Sequence, residues 1–435
     1  MPKAVSAARW AAYQVLRRVE QERSFAGDLL HSSLTSALDE RDAALAEELA
    51  LGVLRWRGEL DRIISEAGGR RPETLDLEVR IALRLGVYQL LRLDRIPARA
   101  AVSESVEIVK RARKSSAAGL VNAVLRNAAS HVRPGALPQA AQAAPAWLLE
   151  RWRRRFGDSL AEKLALQTLN APPVFLRLNA RFDTEETLRL LAAEGVATER
   201  AELPYCCKVL AGRPARTECF RQGRIRLQDL GSQRIVPLLA LEPQHRFLDL
   251  CAAPGGKTFQ ALEQRMPYRA SGVHAPDFAN HIAPAGTGPE GLAVACDRFL
   301  ERLLTMRRLA TLPVAMVALD AACELPFRTK FDRILVDAPC SGTGTLARNP
   351  EIKWKLRPED IGELAARQKA MLSRALSLLA PAGRLVYSTC SLEPEENEEV
   401  VDAVLGPGFQ IVETHLWLPG ENQGDGFFAC VIARR

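Results

Sequence analysis

The sequence predicts a multidomain protein: an all-α bundle, then a small α+β module, then an α/β domain on a parallel sheet. Three observations carry this. At 435 residues the chain is longer than one hydrophobic core usually supports. Residues 4 to about 130 place their apolar side chains at helical spacing only. From Arg246 onward, short apolar strands alternate with turns and helices, the pattern that builds a parallel sheet.

In the first segment, expected over residues 1–135, Ala8, Ala11, Ala12, Val15, Leu16 and Val19 recur at helical spacing, and comparable stripes run from Ala43 to Ile64, Leu75 to Leu93 and Ala101 to Val109. The basic cluster Lys110-Arg111-Ala112-Arg113-Lys114 ends one of these helices. Cations there complement the helix dipole and can equally grip phosphates, so both roles stay open. Arg133 to Pro145 carries Pro134, Gly135, Pro138 and Pro145 among alanines and reads as a linker.

The middle module is expected over 146–230. Trp147 to Leu169 reads as one helix with arginines at 151, 153, 154 and 155, broken by Pro172-Pro173 before a strand from Val174 to Asn179. Asp183 with Glu186 starts a capped helix that Gly195 stops, and weaker strands follow near Cys207 to Leu210 and Ile225 to Leu227. In the last domain, 231–435, strands are expected at Phe247 to Leu250, Leu292 to Ala295, Val314 to Leu319, Ile334 to Val336, Leu385 to Tyr387 and Phe427 to Ala433. Helices are expected at Arg298 to Leu309, Glu359 to Leu379 and Glu395 to Leu405.

Composition narrows the function classes. The chain is 47% hydrophobic and 26% charged, with no apolar run near the roughly 18 residues of a membrane span and no signal-peptide core after Met1-Pro2-Lys3; a cytoplasmic protein without membrane association is expected. Nine cysteines, none before Cys206, form no disulfide framework, so reduced thiols are expected. Six histidines lack ligand spacing and no CxxC pair exists, so no metal site is expected. The net charge is +7, and residues 1–135 hold 22 basic and 17 acidic residues, a difference of 22 − 17 = +5. That balance fits a polyanionic partner or a solvated basic surface.

The chemistry concentrates at predicted strand ends. Phe247-Leu248-Asp249-Leu250 runs into Cys251-Ala252-Ala253-Pro254-Gly255-Gly256-Lys257-Thr258, a strand, tight turn and helix start of the kind that binds ligands in open α/β sheets. It is neither the dinucleotide GxGxxG fingerprint nor a phosphate-binding P-loop. A nucleoside cofactor needs a carboxylate for its ribose, and Asp297 follows the second strand. Its distance from Asp249, 297 − 249 = 48, exceeds the roughly 20 of the simplest unit. The excess lies in the proline- and glycine-rich stretch Met266 to Gly291, a lid or padding. Asp320 follows the third strand and either meets the adenine side of a cofactor or is an exposed strand-end aspartate.

Asp337-Ala338-Pro339-Cys340-Ser341-Gly342-Thr343-Gly344 ends the fourth strand, and Ser388-Thr389-Cys390 the next, 390 − 340 = 50 residues between the thiols. Adenine methylation usually needs an aromatic residue at the fourth place, and Cys340 cannot stack. C5 of cytosine is too poor a nucleophile to attack a sulfonium methyl, so a thiolate must first add at C6 to make an enamine, and a second group must release the adduct. Two thiols near a cofactor turn therefore point to methyl transfer onto a pyrimidine ring, with Asp337 able to hold cytosine N3. The acids Glu393, Glu395, Glu396, Glu398 and Glu399 oppose a thiolate at Cys390 or simply favour a helix start, with Lys257 among the groups able to compensate. Cys251, Cys296, Cys323 and Cys430 read as core, Cys206, Cys207 and Cys219 as incidental.

At these motifs, with Asn349-Pro350-Glu351-Ile352-Lys353-Trp354 and Tyr387-Ser388-Thr389-Cys390-Ser391, the chain resembles the bacterial Sun/Fmu (RsmB) family, which methylates C5 of a cytosine in 16S ribosomal RNA using S-adenosylmethionine. The resemblance covers nearly the whole chain and implies a NusB-like RNA-binding domain, a small connecting domain and a Rossmann-type methyltransferase domain. It implies Cys390 as nucleophile and Cys340, the position DNA cytosine methyltransferases use for attack, as the group that assists release. It further implies Cys251, Ala252, Ala253, Pro254, Gly255, Gly256 and Lys257 along the cofactor, Asp297 on its ribose, Asp320 near its adenine, and Asp337 serving cofactor and base. Lys110, Arg111, Arg113 and Lys114 are the expected RNA contacts. The expected partner is 16S rRNA before full assembly of the small subunit, its cytosine splayed out of any stack, with no DNA partner and a monomeric protein. Two alternatives stand beside this: methylation of tRNA by the same chemistry, and a non-catalytic RNA-binding protein of antitermination type.

Overall fold

The computed structural model describes residues 5–22, 24–131, 138–265, 291–420 and 424–435. The stretch 266–290, most of the expected insert, lies outside them, as do Met1-Pro2-Lys3 and residues 132–137 of the expected linker. Two compact units divide the chain. One holds residues 1–171 together with Leu346–Leu356, and the other Pro172–Thr345 with Arg357–Arg435.

Unit 1 is helical, as the 3.6-residue periodicity predicts. Its main helices are Ala7–Gln21, Glu40–Gly68, Leu77–Arg92, Ala98–Arg111 and Ala118–His131. The Asp39 side chain accepts from the Asp42 amide at 2.8 Å to cap the longest, which ends where Gly69 turns to φ 64°. The expected helix Trp147 to Leu169 is two helices, Ala146–Phe156 and Asp158–Gln167, because Gly157 between them adopts φ 80°. Both belong to unit 1.

Leu346–Leu356 joins this unit although Thr345 and Arg357 on either side belong to the other. Its polar groups explain why. Lys353 is buried and its Nζ donates to the Arg55 carbonyl at 3.0 Å, the Ala143 carbonyl at 2.8 Å and Thr168 Oγ1 at 2.9 Å. Trp354 Nε1 donates to the Leu54 carbonyl at 2.7 Å, and Glu351 Oε1 accepts from the Ala26 amide at 2.7 Å. Burial, with Arg55 adding, pushes Lys353 well below its ordinary value.

Unit 2 opens with the small module. Strands β1 (Phe175–Leu178), β2 (Ala197–Arg200), β3 (Cys206–Ala211) and β4 (Ile225–Leu227) form a sheet of order β2-β3-β1-β4 whose ladders are antiparallel. Leu176, Leu178, Leu191, Cys207, Cys219 and Ile225 fill its core, so these cysteines are packing residues. Asp183 caps the helix Thr184–Ala193 as its spacing to Glu186 predicts, the Glu186 amide donating at 2.7 Å.

The larger domain carries β5 (Phe247–Asp249), β6 (Ala293–Asp297), β7 (Ala315–Ala318), β8 (Phe331–Asp337), β9 (Leu379–Thr389), β10 (Phe409–Trp417) and β11 (Phe427–Arg434) in the order β10-β11-β9-β8-β5-β6-β7. Strands β5 to β9 pair in parallel, and β11 and β10 add antiparallel. Strand β10 was not anticipated; its burial along Phe409–Trp417 is only partial, so no apolar run marks it. Apolar layers cover both sheet faces. Leu372, Ala375 and Leu376 of the helix Pro358–Ser377 pack on one, and Ile235, Leu239 and Leu262 on the other. The multidomain architecture is the expected one. Among the described residues no helix is long and apolar enough to cross a membrane.

Candidate active site

Topology builds the site. The chain runs β5, β6, β7 toward one edge and returns with β8 beside β5, so a switch point opens between β5 and β8 at the carboxyl ends of the strands. In register, Asp249 aligns with Leu335 and Ala295, and Asp337 with Ser388. The carboxylates after β7, β6, β5 and β8 therefore stand along one edge, ending at the two cysteine loops.

At the glycine turn Gly255 has φ 108°, and a Cβ there would lie 2.5 Å from the Phe259 ring. Only glycine fits. Asp249 is buried, accepting from Thr258 Oγ1 at 2.7 Å and the Cys251 amide at 3.3 Å, and burial pushes its carboxyl up to about 7. Asp297 accepts from the Ala253 amide at 3.2 Å and the Phe299 amide at 2.9 Å, which ties the second strand end to the turn. Burial would raise Asp320, but the Ala322 amide at 3.0 Å, Arg367 at 2.8 Å and Arg298 at 3.5 Å outweigh it and hold the carboxyl below its ordinary value. Burial also pushes the half-buried Cys251 thiol well up, with Asp249 adding.

Lys257 Nζ donates to Asp337 Oδ2 at 2.7 Å, and Ser388 Oγ to Oδ1 at 2.8 Å. The Ala338 amide donates to the Ser388 carbonyl at 2.8 Å, extending the β8–β9 ladder past Asp337. Both chains then leave the sheet together, and Cys340 Sγ meets Cys390 Sγ at 3.0 Å. The Gly344 amide donates to the Cys390 carbonyl at 2.9 Å, and a Cβ at Gly344 would lie 2.3 Å from the Gly426 carbonyl oxygen. The hydrogen bond to Cys390, burial and the charge of Glu396 push the Cys340 thiol well above its ordinary value.

The structure thus brings Cys390, Cys340, Asp337 and Lys257 together, with Cys251 to Gly256, Asp297 and Asp320 along the same strand ends. The expected RNA contacts belong to unit 1, at the end of helix Ala98–Arg111. There Lys110 pairs with Glu107 and Lys114 with Asp76, each at 2.7 Å, and Arg111 lies 4.1 Å over the Trp10 ring. Cys296 and Cys430 are core as expected, but Cys323 is exposed, in the loop that follows Asp320. A further site group was missed. Glu396, read with its neighbours as part of an acidic helix start, is buried between the two cysteine loops. Its residue type carried no signal, because surface helix starts use the same acids.

The family model for 16S rRNA methyltransferase RsmB/F matches residues 236–410, that of the NusB family residues 6–130, and that of the RsmF/B-like ferredoxin-like domain residues 144–213. The chain is 32% identical to ribosomal RNA small subunit methyltransferase B of Cronobacter sakazakii, covering 100% of both chains. It is also 32% identical to the probable ribosomal RNA small subunit methyltransferase B of Bacillus subtilis, over 91% of this chain and 87% of that one. Among solved structures, PH0851 superposes with TM-score 0.79 at 23% identity, over 99% of this chain and 100% of that one. NSun6 from Pyrococcus horikoshii with SFG gives 0.58 at 20%, over 68% and 99%. Both show the fold.

Proposed function

Because the chain belongs to the RsmB/F family of ribosomal RNA methyltransferases, we propose that it methylates C5 of a cytosine in 16S rRNA, with S-adenosylmethionine as donor and a covalent adduct through Cys390. The observation that carries this reading is the 3.0 Å approach of Cys340 and Cys390 beside the Asp337–Lys257 pair. No purely structural role needs two thiols and an ion pair at a sheet's switch point.

The turn and the strand-end acids fit the cofactor. A Cβ at Gly256 would meet nothing within 4 Å, so open space adjoins the turn, and Asp297 at the end of β6 and Asp320 after β7 support the reading as acceptors for the cofactor's ribose and adenine. When bound, S-adenosylmethionine supplies an electrophilic methyl group. The rest is the work of side chains. The Cys390 thiolate adds to C6 while Asp337, poised by Lys257 and Ser388, shares a proton with N3, so that the C5–C6 electrons become an enamine. C5 then takes the methyl group. Transfer of the C5 proton to Cys340 as its thiolate, expulsion of Cys390 from C6 as thiolate and return of the N3 proton to Asp337 restore the aromatic ring, so that Cys340 assists release.

Lys110, Arg111, Arg113 and Lys114 are proposed to engage RNA phosphates. The proposed setting is a cytoplasmic monomer acting on 16S rRNA before the small subunit is fully assembled, when the base can be extruded. Mapping 5-methylcytosine in the rRNA and tRNA of a deletion strain tests the assignment. Loss at one 16S site, restored by the intact gene and not by Cys390→Ala, is expected; unchanged rRNA with a tRNA site lost would transfer the reading to tRNA.

A further inference from the structure

The two cysteine loops meet over a buried carboxylate. Glu396 is fully buried, beyond the end of β9 and just before the helix Glu398–Val404. Its Oε1 accepts from the Ser341 amide at 2.8 Å and from Gln368 Nε2 at 3.0 Å. Its Oε2 accepts from Ser391 Oγ at 2.5 Å and from Ser341 Oγ. Ser341 follows Cys340 and Ser391 follows Cys390, so this one carboxylate grips the residue next to each thiol. The two hydroxyls also lie 3.1 Å apart. The backbone of Glu396 is pinned as well, its carbonyl accepting from Tyr387 Oη at 2.6 Å, and Tyr387 lies in β9.

An isolated buried carboxylate is costly, and its cost is offset only where donors surround it. Every polar neighbour named above donates to Glu396. A merely structural carboxylate would serve as well anywhere in the core. This one bridges two loops past the last ladder bond, Ala338 N to Ser388 O, beside the Gly344 amide on the Cys390 carbonyl, the Leu392 amide on Thr343 Oγ1 and the Cys390 amide on Cys340 Sγ, and it is the group that holds the residue after each thiol.

We propose that Glu396 is a positioning residue: by hydrogen-bonding Ser341 and Ser391 together it sets the Cys340 and Cys390 sulfurs face to face for successive use on one base. The inference rests on the covalent reading above for its catalytic meaning, whereas the pairing of the loops is independent of it. Buried acids that bridge loops in this way hold geometry to the fraction of an ångström that covalent catalysis requires.

The test compares full-length wild type with Glu396→Ala, Glu396→Gln and the double variant Ser341→Ala/Ser391→Ala. One readout is the rate at which diamide, which takes up the two thiol hydrogens, joins Cys340 to Cys390, followed by peptide mass. The other is kcat and KM for methyl transfer to 16S rRNA with S-adenosylmethionine. Glu396→Ala is expected to form the disulfide about tenfold or more slowly than Glu396→Gln, which removes the same charge from beside Cys340, and to lower kcat about a hundredfold, with KM for S-adenosylmethionine within about threefold of wild type. Glu396→Gln keeps the shape and an acceptor oxygen, and is expected to restore at least about a tenth of wild-type turnover. The double serine variant, which keeps the acid, decides the matter if Glu396→Ala does not fold, and is expected to follow Glu396→Ala. Disulfide formation at the Glu396→Gln rate by folded Glu396→Ala, at the wild-type rate by the double serine variant, or wild-type kcat in either, overturns the proposal. Cys390→Ala, assayed alongside, separates the two readings: normal methylation by that variant removes the covalent mechanism and leaves the disulfide rates to judge Glu396.

Discussion

Cys340 Sγ lies 3.0 Å from Cys390 Sγ, and the Cys390 amide donates to the same Cys340 sulfur at 3.2 Å. The pair is asymmetric: the Cys390 amide favours the Cys340 thiolate, whereas the charge of Glu396 opposes it. Different losses follow from removing either thiol. Cys390→Ala is expected to lower methyl transfer by about a thousandfold or more and to leave no slow-migrating RNA complex on denaturing gels. Cys340→Ala is expected to attack and methylate but stay attached to its RNA. Absence of that trapped complex would count against the assigned roles.

Gly255 supports a second prediction. Gly255→Ala forces a Cβ toward the Phe259 ring at a φ of 108°, so a loss of about 1–3 kcal/mol in stability is expected. The displaced turn carries the Ala253 amide that Asp297 accepts, so binding of S-adenosylmethionine should weaken about tenfold or more. Calorimetric titration with unchanged affinity would show that the turn does not line the cofactor.

At the basic helix end two lysines pair with carboxylates, whereas Arg111 lies over the Trp10 ring. Lys110 and Lys114 already engage Glu107 and Asp76, so replacing Arg111 and Arg113 by Ala is expected to flatten the salt dependence of RNA binding more than replacing the two lysines. The expected change for the arginine pair is about 1 to 2 in the slope of log K against log salt, since each phosphate contact contributes roughly 0.7 to 0.9. Equal slopes in all variants would return the cluster to helix capping.

Lys353 predicts a pH dependence of stability. In the unfolded chain it stays protonated up to its ordinary value of 10.5, whereas burial pushes it well below that in the fold. Between the two values the unfolded state holds the extra proton, so stability rises as pH rises and falls as pH drops. Lys353→Met removes this contribution. The difference in denaturation free energy, wild type minus variant, should therefore climb from pH 7 to pH 10; a flat difference would mean that the folded lysine titrates like the unfolded one.

Much of the site was legible because its residues follow strand ends, and strands announce themselves by apolar runs. Asp249, Asp297, Asp320, Asp337, Cys340 and Cys390 all stand at or just beyond strand ends, where the apolar runs put them. Glu396 was not legible, because burial of a charge is decided by which donors the fold collects around it, here Ser341 from one loop and Ser391 from another. The same holds for Lys353, whose acceptors come from residues as distant as Arg55 and Ala143. Cys323 was misjudged as core because a small apolar-looking side chain carries no periodicity of its own in a loop. The break at Gly157 was missed because the helical stripe continues on both sides of it.

Periodicity, turn chemistry and motif spacing are local properties, and from them alone the chain's sequence determined the helical first segment, the parallel sheet and the strand ends that carry its acids and thiols. Tertiary structure decided what local rules cannot: that Leu346–Leu356 packs with the helical unit, and that loops fifty residues apart close to 3.0 Å between sulfurs. The physical reason is that a strand's side-chain pattern depends on its own residues, whereas the partner of a buried polar group depends on sheet order and register.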